Sequence, residues 1–158
     1  MKAATIQELK QELLSLPAPR LAELCLRLAK FKKDNKELLT FLLFEADDLT
    51  TYIDNVKKEI DLGFEGLPKP NVYLTKKSLR KVLRVLLRQI KYTASPQAEV
   101  ELLTYFCSKV RSTKIPIDSS TVLTNLYNGQ LKKIRATIAT MHEDLQHDYH
   151  KELKALER

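Results

Sequence analysis

Residues 71–92 read NVYLTKKSLRKVLRVLLRQIKY, and their periodicity decides the fold class. Wound at about 100° per residue, Lys77, Arg80, Lys81, Arg84, Arg88 and Lys91 fall within an arc of about 100°, and Leu79, Val82, Leu83, Leu86 and Ile90 fill the opposite arc. The segment therefore reads as a helix, cationic on one side and apolar on the other. No Asp or Glu occurs between Glu65 and Glu99, so nothing within this helix neutralises the stripe.

The rest of the chain repeats the helical pattern with other charges. Residues 67–92 carry eight basic and no acidic side chains, whereas residues 34–66 carry three basic and nine acidic ones. The net charge of +7 is thus a local excess of the kind a binding face requires. Only three glycines occur, Gly63, Gly66 and Gly129, too few for a glycine-rich phosphate loop or for the turns of a sheet. With 158 residues, 44% of them hydrophobic, the chain is expected to form one all-α domain over 1–158, large enough for a core without disulfides or metal staples. Cys25 and Cys107 sit among apolar neighbours and read as two reduced core thiols, with a disulfide between them as the alternative. Lys2 is followed by a mixed polar pattern without the apolar core of a signal peptide, and the apolar run 38–44 is far short of a membrane span. A cytoplasmic protein that does not enter the membrane is expected.

Eight antiparallel helices are expected in order. Thr5 and Glu8 form a capping box for the first, through about residue 16, and Pro17 and Pro19 separate it from the second, at 19–33. Asp34 and Glu37 repeat the capping signature ahead of a third helix to about residue 46. It is apolar nearly all round (Leu38, Leu39, Phe41, Leu42, Leu43, Phe44), the mark of a central, buried helix. The fourth, at 49–64, sets Tyr52, Ile53, Val56, Ile60 and Phe64 against an acidic stripe of Asp47, Asp54, Asp61 and Glu65. A linker with Gly66, Pro68 and Pro70 leads to the cationic fifth helix, and Ser95-Pro96 opens the sixth. Asp118 or Ser119 caps a short seventh, Asn128-Gly129 interrupts it, and one C-terminal helix runs over 130–156. Its apolar positions Leu131, Ile134, Ile138, Met141 and Leu145 alternate by three and four, a seam through which two copies could form a homodimer.

Residues 26–31 are echoed by 87–92 and residues 37–41 by 101–105, and Ile53-Asp54 matches Ile117-Asp118. The echoes define candidate repeats at 19–66 and 79–129, so a compact bundle and a short HEAT- or armadillo-like solenoid with internal duplication both fit. The run RLAKFKK at 27–33 leading to Glu37, Leu38 and Leu39, together with IATMHEDL at 138–145, resembles the pattern of a family of small all-helical bacterial proteins with no assigned function. That resemblance covers most of the chain, implies a bacterial cytoplasmic protein and supplies no catalytic residues.

Function has to be read from the stripe itself. Like charges at i, i+3 and i, i+4 oppose their own helix by roughly 2 kcal/mol in sum at low salt, so something should offset them. A nucleic acid or another polyanion, an acidic protein, or plain solvation would serve, with Tyr73 and Tyr92 at the margins able to stack on bases. The acids of the fourth helix are the internal alternative, but their stripe lies about 130° from its own apolar centre and the cationic one about 150° from its own, leaving only rim pairs. Of the three histidines, His147 and His150 share a polar helical face with Glu143, a trio that could hold a transition metal in a metal-dependent enzyme. A solvated surface is the simpler expectation there. No nucleophile elbow, paired-cysteine motif or glycine-rich loop is present, so no catalytic residue, no metal ligand and no cofactor is assigned, and a non-catalytic binding protein is expected.

Overall fold

The computed structural model describes residues 1–68 and 71–157; Pro70 of the expected linker and the last residue of the chain lie outside the described residues. It contains eight α-helices: α1 (Ile6–Ser15), α2 (Ala18–Phe31), α3 (Lys33–Phe44), α4 (Leu49–Glu65), α5 (Val72–Thr93), α6 (Pro96–Ser112), α7 (Thr121–Ile138) and α8 (Glu143–Leu156). A short 3₁₀ turn, Ile117–Ser119, precedes α7, and no strand occurs among the described residues. The starts are set by local chemistry. Glu8 returns a carboxylate to the Thr5 amide at 2.7 Å, closing the capping box. Asp48, Asn71 and Ser95 each accept an amide of the first turn of α4, α5 and α6. Asp34 instead lies inside the first turn of α3, which begins one residue earlier.

The described residues gather into two compact units, Met1–Phe44 and Glu45–Arg158, where composition leads one to expect a single domain. The division runs through the first candidate repeat, 19–66. The first two echoes fall in helices in both places, but Ile53 and Asp54 lie within α4 while Ile117 and Asp118 form the 3₁₀ turn. In the first unit α2 packs on α3, and the Asn35 amide donates to the Leu28 carbonyl at 2.8 Å. Phe41 is the only buried side chain among the described residues of this unit. Leu42, Leu43 and Phe44 are exposed, so α3 is not the central helix its all-round apolar composition implies. Composition counts apolar residues, but a centre also needs neighbours on every side.

In the second unit the centre is α6, which touches α4, α5, α7 and α8. Val100, Leu102, Leu103, Phe106 and Cys107 have no exposed surface. Phe64 of α4 meets Phe106 edge to face, with ring centroids 5.6 Å apart. Cys107 is a free thiol that burial pushes up to about 12. Cys25 is also free but exposed on α2, so only one of the two expected core thiols lies in a core.

The expected C-terminal helix 130–156 does not exist as one piece. Leu123, Tyr127, Leu131, Ile134 and Ile138 form one buried stripe along α7, and Asn128-Gly129 passes through it on the solvent side without a break. The break comes at 139–142, where the His142 ring accepts the Asp144 amide and starts α8. The proposed dimer seam is thereby divided: its first three residues are buried in α7, and Leu145 is exposed on α8. The far end of α8 is held by Arg111 and Tyr127, which both donate to the Leu156 carbonyl, at 3.0 and 2.9 Å.

Two glycines predict opposite outcomes. Gly129 is a helix-interior glycine with nothing within 4 Å of an added Cβ, so Gly129→Ala should raise stability by about 0.5–1 kcal/mol. A Cβ on Gly63 would stand 2.8 Å from Val82 Cγ2 across the α4–α5 contact. Valine in a helix has one strongly preferred rotamer, so Gly63→Ala should cost about 1–3 kcal/mol. Urea melts of the two variants check both signs, and Val82→Ala should recover much of the Gly63→Ala loss.

Candidate anion-binding groove

The long apolar face of α5 is committed to the core: Leu79, Leu83, Leu86 and Ile90 are buried against the neighbouring helices. The cationic arc must then face away. Lys77, Arg80, Lys81, Arg84 and Lys91 are exposed, and Arg88 is half-buried. Beside this arc stands α7, and the two helices bound an open groove of about 1270 Å³. The α5 wall carries Lys76, Lys77, Arg80, Lys81 and Arg84; the α7 wall carries Val122, Asn125, Leu126 and Gln130. At one end Tyr73 is 69% exposed, with Lys76 Nζ 5.9 Å from its ring centroid. Among the described residues no Asp or Glu lines the groove.

Four of the six expected residues are thus brought together, and Arg88 and Lys91 are left outside. Lys76 joins them although it falls off the cationic arc, and Asn125 and Gln130 come from a segment whose charge pattern gives no signal. Only their polarity could have marked them: Asn125 lies opposite Leu123 and Tyr127 in helical phase, whereas Gln130 sits on the rim of their own face.

Why the stripe stays open is answered by where the carboxylates go. Asp61 of α4 is not turned to water as its helical phase implies: Lys109 Nζ lies 2.7 Å from it, and the Tyr105 hydroxyl donates to it at 2.8 Å, both from α6. Lys57 reaches Glu101 at 2.5 Å, Lys133 reaches Glu99 at 2.7 Å, and Gln89 of α5 donates its amide to Glu59 at 2.6 Å. Asp61, Glu99 and Glu101 are thus engaged with lysines outside α5, and Glu59 with the Gln89 amide rather than with a cation of the stripe. Among the described residues of this unit no carboxylate pairs with Lys77, Arg80, Lys81 or Arg84.

The Asp61 cluster carries a pH dependence of its own. Burial acts to raise the Asp61 carboxyl, but the hydrogen bonds from Lys109 and Tyr105 outweigh it and hold the group below its ordinary 3.8. The Asp48 cap is lowered in the same direction by Thr51. A depressed carboxylate stabilises the fold above its unfolded value and loses that contribution as pH falls through the folded one. Stability should therefore decline below about pH 4, and less steeply in Asp61→Asn. Burial and then Asp61 raise the Tyr105 hydroxyl, so the same variant should lower its titration midpoint in ultraviolet absorbance.

The histidine trio does not assemble into a metal site: among the described residues no three His, Cys, Asp or Glu side chains come together to hold an ion. No protein-family model, curated protein or solved structure matches the chain. The chemistry of the groove itself has to carry the functional reading.

Proposed function

We propose that this is a non-catalytic binding protein that holds a polyanion, nucleic acid foremost, along the groove between α5 and α7. The observation that carries the reading is five cations on one wall with no carboxylate among the described residues of the lining. Side chains that repel one another at helical spacing, while nearby acids pair with α6 and α7, are compensated best by negative charge from another molecule. A chain of phosphates supplies that charge at a repeat a helix can follow, one turn of about 5.4 Å at a time. A bacterial cytoplasm, where such chains are abundant, accords with the resemblance of residues 27–39 and 138–145. No described helix is long and apolar enough to cross a membrane.

Fluorescence anisotropy of a labelled oligonucleotide across a salt series tests the reading. Five phosphate contacts to a single strand should give a slope of log affinity against log salt of about −3.5. Absence of binding at low salt, or a flat slope, rejects it.

A further inference from the structure

We infer that the occupant of the groove is a single strand of nucleic acid rather than a duplex, its phosphates on the α5 wall and its bases against α7 and Tyr73; this rests on the polyanion reading above. The two walls differ in chemistry. Cations occupy α5, but Leu87, Val122 and Leu126 line the same groove and offer nothing to phosphate. A duplex shows its phosphates outward and keeps the faces of its bases stacked inside, so it would meet Lys77, Arg80 and Arg84 and leave Leu87, Val122 and Leu126 without a partner. An unpaired strand presents charge on one edge and flat apolar faces on the other.

Shape gives the same answer. A helix that reads duplex DNA enters the major groove as a protruding element. Here the cationic face of α5 is one side of a concavity whose other side is α7, so a cylinder resting on the cations would leave the α7 side unfilled. The groove is also open and larger than the roughly 300–1,000 Å³ typical of small-ligand pockets, as a strand that enters and leaves requires.

Tyr73 and the two amides complete the match. The ammonium of Lys76 lies over the Tyr73 ring, and the exposed remainder of the ring is a platform on which a base can stack, an interaction worth roughly five- to a hundred-fold in affinity per base. Asn125 presents both a donor and an acceptor. Gln130 donates one of its two amide hydrogens to the Leu126 carbonyl at 3.1 Å, and its Oε1 can accept from a base edge.

The test is a competition assay with four unlabelled probes of matched phosphate number: a mixed-sequence single-stranded DNA, the same sequence as RNA, its duplex, and inorganic polyphosphate. Both single strands should bind at least tenfold tighter than duplex and polyphosphate. Tyr73→Ala should weaken the single strands about tenfold and leave polyphosphate within twofold, and because Tyr73 lies outside the core the variant's thermal melt should match that of the parent. If duplex or polyphosphate competes as well as the single strands, or Tyr73→Ala changes nothing, the single-strand inference is overturned and the polyanion reading stands. If no probe binds, both fall together.

Discussion

Arg80→Glu combined with Arg84→Glu is expected to weaken oligonucleotide binding at least a hundredfold at low salt. Each guanidinium is exposed on the α5 wall, so each can form a charge-assisted bond to phosphate worth about 1.5–3 kcal/mol, and reversal replaces that attraction with repulsion. Two such losses correspond to roughly two to four decades in affinity. The helix itself should not suffer. New carboxylates at these positions stand three or four residues from Lys76, Lys77, Lys81 and Arg88, and each favourable pair contributes a few tenths of a kcal/mol where a repulsive one stood before. A melting temperature equal to or above that of the parent, with binding lost, separates a damaged site from a damaged fold. Lys91→Glu lies on the same helix but outside the groove and should change affinity far less. Equal losses in both variants would show that general charge, and not the groove, governs attraction.

Phe106→Ala should be the most damaging single substitution in the second unit. The ring has no exposed surface, lies at the centre of α6 and meets Phe64 edge to face. Truncating such a ring costs about 3–5 kcal/mol, a large share of the about 5–15 kcal/mol that stabilises a domain, so the urea midpoint should fall steeply. Phe44→Ala removes the same side chain from α3, where it is 80% exposed, and should cost no more than about 0.5 kcal/mol. Urea denaturation of the two variants compares the helices directly. A larger loss at Phe44 than at Phe106 would contradict the exposure of Phe44 on α3 and the burial of Phe106 on α6.

That contrast shows where reading the sequence succeeds and where it stops. Helix after helix is legible, because its signals sit within four residues of one another: Thr5 with Glu8, Asn71 ahead of the cationic segment, Ser95 before Pro96. The same locality misplaces the break near the C-terminus. Asn128-Gly129 is a strong local interruption, yet the apolar stripe from Leu123 to Ile138 runs through it and prevails, because burial of five large side chains outweighs the roughly 1 kcal/mol that a helical glycine costs. At 139–142 the stripe ends and Thr140, Met141 and His142 turn the chain instead.

Order along the chain determined that this protein is helical, which arc of α5 is charged, and that no acid within that helix can answer the charge. These are properties of a 3.6-residue period and of neighbours one turn away. Packing alone decided that α6 is central in its unit, that Asp61 turns to Tyr105 and Lys109, and that α7 raises a second wall beside Arg80 and Arg84. The Asp61–Tyr105 bond joins residues 44 positions apart, and the period of one helix carries no information about the face that another will bring against it.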